Sequence, residues 1–172
     1  RRVLICGHRP DTHQPYCARL ILTNLVRRAY RRPPASGEVD ALLRFVAMAQ
    51  QDGDSFEQGI QLALQAVLVS PHFLFRLERH PNPTDPQAHH PITDFELATR
   101  LSYFLWSSLP DDELFLVASR NALRSPGVLQ AQVRRMLLDP KAEALVDNFV
   151  GQWLQLRNLE SHQPDPDRFP NF

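Results

Sequence analysis

The chain predicts an all-α protein of about seven helices in two packed subdomains, preceded by an extended N-terminal leader. Three observations point there. Apolar residues recur at three- and four-residue spacing through most of the 172 residues, strand-like alternation is confined to "RVLIC" at the start, and the prolines fall between the periodic runs. Those 15 prolines exceed the ~5% of an average chain, and several follow Ser or Asp directly, as in Ser70-Pro71, Ser125-Pro126 and Asp139-Pro140. A capping side chain followed by proline starts a helix, because the N–H that proline lacks would have had no intrahelical partner.

The first helix is expected from near Cys17 to Arg32, with Ala18, Ile21, Leu22, Leu25 and Ala29 on one face and Pro33-Pro34 ending it. The second starts at Ser36 and carries Val39, Leu42, Leu43, Val46 and Ala47 to about Gln51. The third follows the Asp52-Gly53 turn, opens with Ser55 and Gln58 at capping-box spacing and runs through Val69. Only Gln61 and Gln65 interrupt its apolar surface, which predicts a buried central helix. After Ser70-Pro71 a short helix, "HFLFRLER", leads out. Residues 80 to 91, "HPNPTDPQAHHP", hold four prolines and no apolar period, so they read as a linker. Thr93 and Glu96 then form a second capping box ahead of "FELATRLSYFLWSSL", stopped at Pro110. Shorter helices are expected from Asp111 to Ala122 and from Pro126 to Leu138. A long one from Pro140 to Arg157 places Leu145, Val146, Phe149, Val150, Trp153 and Leu154 on one stripe. The resulting organisation is an N-terminal module over 1–79, a Pro/His-rich linker over 80–92, a C-terminal module over 93–159, and the start of another linker over 160–172. The abrupt beginning at "RRVLICG" and the stop at "DRFPNF" predict a piece of a longer polypeptide.

A hydrophobic content of 43% is enough to bury a core. Nineteen basic and nineteen acidic residues cancel, which removes the global electrostatic case for a nucleic-acid partner. No apolar run approaches the ~20 residues needed to cross a bilayer. Charge is uneven, however: up to Arg32, eight arginines stand against Asp11 alone.

The candidate chemistry concentrates in "CGHRPDTHQPYC", residues 6 to 17. No C-x-x-C-H is present, so no haem c is attached here. Cys6, His8, His13 and Cys17 could ligate zinc, yet zinc sites favour short cysteine spacings, and Cys6 and Cys17 lie far apart in sequence. A Cys6–Cys17 disulfide needs only an oxidising compartment and close Cα atoms; two unpaired buried thiols are the remaining arrangement. The disulfide is the expectation carried forward, with no metal assigned. It would pin the leader to the first helix and contribute ~2–3 kcal/mol. His89 and His90, beside Asp85 and His80 in the linker, read as solvated, and His72 in a first helical turn reads as packed. The serines are caps or helix-end residues, the glycines are scattered singly, and Asp111-Asp112-Glu113 suits a helix start, so no catalytic residue is expected. Arg27, Arg28, Arg31 and Arg32 crowd a helix end, where the dipole favours cations, and form a candidate docking patch for an acidic partner. Arg100, one turn after Glu96, is expected in a structural salt bridge, most simply with Glu96 or with a carboxylate of another helix.

Four blocks, "CARLILTNLVRRAYRRP", "FEQGIQLALQAVLVSPHFLFRLE", "DFELATRLSYFLWSSLPDDEL" and "LVDNFVGQWLQLRNL", occur in this order. Together they closely resemble large exported proteins, common in planctomycetes and acidobacteria, that carry a cytochrome c-like domain with a string of domains of unknown function. The chain resembles two consecutive modules of these, families 1595 and 1592, from Cys17 to about Leu159. The resemblance implies a periplasmic or extracellular location, which favours the disulfide, and haem c elsewhere in the polypeptide rather than here. It implies as partners other domains of the same polypeptide or subunits of an electron-transfer complex. The expected function is a non-catalytic scaffold or docking module. One alternative is an enzyme whose active site is completed by further modules, with His72, Arg100 or Asp111 to Glu113 contributing; a polar pocket holding two or more of these would favour it. The other is a subunit of a membrane-bound respiratory or photosynthetic complex.

Overall fold

The computed structural model describes residues 3–9, 12–78, 82–85, 87, 89–158, 165 and 167–168. Among them every regular element is helical, as the periodicity predicts, and none of the helices is long and apolar enough to cross a membrane. The described part of "RVLIC", Val3 to Cys6, runs as bends and turns instead of a strand. Among the described residues no second strand accepts its ladder, and Leu4 and Cys6 pack against the first core instead.

The first module is built from α1 (Pro15–Ala29), α2 (Glu38–Gln51), α3 (Phe56–Leu68) and the single turn α4 (Pro71–Leu74). Helix α1 starts ahead of Cys17 because Pro15 takes its first turn, with Gln14 as the cap. Helix α2 begins after Gly37, whose φ of 80° is left-handed, so Ser36 falls outside it. Ser55 and Gln58 make the expected reciprocal capping bonds, Gln58 N–H to Ser55 Oγ at 3.2 Å and Ser55 N–H to Gln58 Oε1 at 2.8 Å.

Helix α3 is not buried all round. Gly59, Ile60, Ala63 and Val67 face the core, while Leu68 and Val69 are exposed. The helices that pack on it are α1, α2 and α4, and so few neighbours cover only part of a helix circumference. The α2–α3 contact is the tightest seam: a Cβ at Gly59 would stand 3.0 Å from Val46 Cγ1 and 3.2 Å from its Cα. The buried face of α2 runs Val39, Leu42, Val46 and Ala49, leaving the expected Ala47 exposed.

The second module comprises α5 (Asp94–Trp106), α6 (Asp112–Ser119), α7 (Val128–Leu138) and a segmented C-terminal rod. Gly127, at φ 77°, precedes α7, so Pro126 lies before the helix. The rod is a 3₁₀ turn (Pro140–Ala142), an α turn (Glu143–Leu145), a π stretch (Val146–Val150) and another α turn (Gly151–Trp153). The wider π turn breaks the single straight helix expected over this stretch and rotates the register, so Phe149 and Trp153 do not join the core stripe. Ala98, Leu105, Trp106, Leu114, Leu123 and Met136 form that core. Trp106 brings its own polar partner, donating Nε1–H to the Met136 carbonyl at 2.9 Å.

Asp94 locks the base of this module. Its carboxylate is almost fully buried, accepting the Leu123 N–H at 2.8 Å and Arg124 Nη1 at 2.6 Å, while Arg124 also bonds the Ile92 carbonyl. On the far side Arg135 clasps Asp111 with two bonds, 2.6 and 3.1 Å, joining α7 to the cap of α6.

Two substitutions test these contacts. Gly59→Ala should force α2 and α3 apart and lower stability by about 1–3 kcal/mol, read by denaturant unfolding of the 172-residue chain. Asp94→Ala strands the buried Leu123 N–H and should cost about 1–3 kcal/mol. Arg124→Ala should cost at least as much, because it leaves the Asp94 carboxylate, 3% exposed, without its cation.

Candidate functional site

Where the leader meets α1, four side chains converge. One ligand-type atom each from Cys6, His8, His13 and Cys17 lies within 4.8 Å of the others. His13 Nδ1 stands 3.3 Å from Cys6 Sγ, and His8 Nδ1 stands 3.2 Å from Cys17 Sγ. The expected disulfide is not formed: Cys6 and Cys17 are free thiols that interact with each other, and each sulfur also faces an imidazole. His8 and His13, left without a role by the sequence, complete the cluster, and among the described residues these four are the ones that could hold a metal.

Local structure sets each donor. Cys17 stands at the third position of α1, where the positive helix end favours a thiolate, and its Sγ accepts the Gln14 N–H at 3.2 Å. Its side chain has no exposure to solvent, and burial pushes its pKa up. Burial also works against a charge on Cys6. There, hydrogen bonds from the His8 backbone and from the His8, Cys17 and His13 side chains prevail and lower it to about 6. His13 is 3% exposed, stacks on Phe56 at 4.1 Å, and sets its outer nitrogen Nε2 3.0 Å from Glu57 Oε1 on α3. If Nε2 carries the proton to that carboxylate, Nδ1 keeps its lone pair for the cluster.

The signal for this site lay in mixed spacings. Cys6-x-His8 and His13-x₃-Cys17 are short pairs, but counting only the cysteines conceals both. Glu57 carried no such signal, since its place beside His13 comes from the packing of α3. Among the described residues His89 and His90 join no convergent group of donors; His89 is exposed, and His80 lies outside the described residues.

The arginine patch is mostly consumed inside the chain. Arg31 is buried at φ 60° and donates to the carbonyls of Phe73 at 3.2 Å, His72 at 2.7 Å and Phe75 at 2.7 Å. It thereby satisfies groups that the short helix α4 leaves open. Arg32 forks onto Glu38 at 2.7 and 2.9 Å, Arg27 reaches Asp112 at 3.0 Å, and Arg28 is exposed. Arg100 is exposed and pairs with Glu78, at 2.6 and 2.5 Å, instead of Glu96. The Glu96 carboxylate is drawn the other way, accepting the Thr93 N–H at 2.6 Å in the capping box.

A cleft of about 1230 Å³ opens between the modules, with Arg31, His72, Arg76, Glu78 and Arg100 on its walls. It holds two of the three candidates for a completed active site. The third, the acidic run, is spent elsewhere: Asp111 caps α6 and pairs with Arg135, Asp112 meets Arg27, and Glu113 meets Arg135 and Gln132. His72 lies against Tyr30, ring centroids 5.2 Å apart, with Nε2 3.8 Å from Glu38.

Residues 17–78 match the family described as "PSD5: Protein of unknown function (DUF1595)", and residues 92–172 match "PSD4: Protein of unknown function (DUF1592)". The chain thus carries two consecutive domains of unknown function. No curated protein and no solved structure matches it.

Glu38 gives the site region a pH dependence. Its bonds to Arg32, opposed by burial and helped by the Ala35 N–H, hold its carboxyl below the usual range. A carboxyl lowered on folding stabilises above its unfolded value of ~4.3 and loses that contribution as pH falls through its lower folded value. Thermal unfolding should therefore shift downward below about pH 4.3. Glu38→Gln should be less stable at neutral pH and lose less on acidification.

Proposed function

We propose that these two consecutive modules form a non-catalytic helical scaffold of a larger extracytoplasmic, cytochrome c-like protein. It would hold a haem-bearing segment of the same polypeptide, or a neighbouring subunit, in place for electron transfer. The observation that carries this proposal is an aromatic row left open at the end of the second module. Phe104, Phe149 and Trp153 are 54%, 46% and 72% exposed, with ring centroids 5.5 Å apart between the first two and 5.9 Å between the last two. Val146 and Leu154, both exposed, widen it. An apolar row of this kind gains ~25 cal/mol for each Å² that a partner covers, so it suits docking. The polar side chains meanwhile serve as ties between helices. Location outside the cytoplasm and linkage to haem c rest on the resemblance of the sequence blocks.

The cleft favours a second reading. His72 and Arg100 share its walls with Arg31 and Arg76, an arrangement suited to a negatively charged ligand of an enzyme completed by further modules. Both groups already have partners within the chain, and neither faces a nucleophile, so scaffolding is preferred.

Two measurements test the scaffold. The polypeptide isolated from its source should fractionate outside the cytoplasm, show a covalent haem spectrum and yield cross-links between the Trp153 face and the haem-bearing segment. Recovery from the cytoplasm without haem would refute the proposal. In the 172-residue chain, Trp153→Ser should change stability by less than about 1 kcal/mol. A large loss would mean that the row is core rather than docking surface.

A further inference from the structure

We propose that Cys6, His8, His13 and Cys17 bind one Zn²⁺ in a closed tetrahedral site, with Glu57 as the positioning residue that orients His13. The proposal is independent of the scaffold function, since the site would exist whatever the modules dock onto.

Distances favour it. Tetrahedral zinc with Zn–S near 2.3 Å and Zn–N near 2.0–2.1 Å requires sulfur and nitrogen donors about 3.6 Å apart. The two closest Cys–His pairs stand at 3.3 and 3.2 Å, and the full set of donor atoms fits within 4.8 Å. Small outward movements of the side chains would seat the ion. The donor set then selects the metal. Two thiolates and two imidazoles, with no oxygen ligand, disfavour Mg²⁺ and Ca²⁺ and suit Zn²⁺.

The surroundings are those of a metal site rather than of two chance hydrogen bonds. Metal-bound histidines typically donate their outer N–H to a carboxylate, as the His13 Nε2 to Glu57 contact provides. The Gln14 N–H on Cys17 Sγ and the His8 backbone hydrogen bond to Cys6 would stabilise thiolates. Neither competing use of the thiols fits as well. A cysteine–histidine nucleophile needs access to substrate, which Cys17 lacks; Cys6, half-buried beside His13, could serve alone, but that use leaves the convergence of Cys17 and His8 on the same point unexplained. A disulfide would consume two of the four donors and leave the inward nitrogens of His8 and His13 facing no ligand.

Four protein ligands leave no open coordination position, so the site is structural. Zinc would join the leader to the start of α1 and, through Glu57, to α3, which couples metal affinity to the folding of the first module. Three of the four donors precede residue 17, where the match to the first family begins.

The test uses the reduced 172-residue chain. Cobalt(II) titration should saturate at one equivalent with a thiolate-to-cobalt charge-transfer band and the visible bands of tetrahedral cobalt, and Zn²⁺ should displace both. Zinc should raise the unfolding temperature, and a chelator should reverse the rise. Cys6→Ala and His8→Ala alter half-buried positions, and both should keep the helical circular dichroism; Cys6→Ala should lose about half of the charge-transfer intensity with one of the two thiolates, and His8→Ala should weaken cobalt binding while retaining a thiolate band. Glu57→Gln should keep the spectrum at saturation and weaken binding about 10- to 100-fold; unchanged affinity would remove Glu57 from the proposal. The wild-type titration needs no variant to fold. Absence of the charge-transfer band, a band of undiminished intensity and affinity in Cys6→Ala, or metal-free protein with a Cys6–Cys17 disulfide isolated from zinc-replete medium would each overturn the site.

Discussion

The contact between His13 Nε2 and the Glu57 carboxylate is the constraint on which the N-terminal end of the molecule turns. The described residues of the leader form no regular secondary structure, so side chains fix their position. His13 supplies that anchor twice, by stacking on Phe56 and by reaching Glu57 one residue further along α3. Once the ring is fixed, its inner nitrogen can face only Cys6, and the leader closes over the start of α1. A buried imidazole nitrogen without a partner costs free energy, so the carboxylate helps fix where the leader lies.

The same rule operates in both modules. Their helices are short, and burial of an apolar stripe is non-directional, so by itself it leaves helices free to slide. Buried polar groups remove that freedom, because each accepts few geometries. Arg31 meets three carbonyls around α4, and Asp94 meets one N–H and one guanidinium. Between the modules the ties are looser and more exposed, as in Arg27 with Asp112, and a cleft remains there.

Much of this was legible in the residues. Ser55-x-x-Gln58 and Thr93-x-x-Glu96 marked helix starts because a capping box is a local structure, completed within one turn. The helical class followed from the spacing of apolar residues, for the same local reason. Boundaries slipped where one residue's conformation decided them, as at Gly37 and Gly127, both left-handed ahead of their helices. The π stretch at Val146–Val150 also escaped notice, since its sequence keeps an α-helical apolar pattern.

By itself, then, the sequence determined the elements: where helices begin, which faces are apolar, and that Cys6, His8, His13 and Cys17 share one short segment. Tertiary structure alone decided how long-range polar partners are chosen. It paired Arg100 with Glu78 rather than Glu96, spent Arg31 on three carbonyls, and set Glu57 behind His13, 44 residues away in the chain. The physical reason is reach. Propensity and capping act within a turn or two, whereas a buried charge or imidazole takes whichever partner the packed helices bring within about 3 Å.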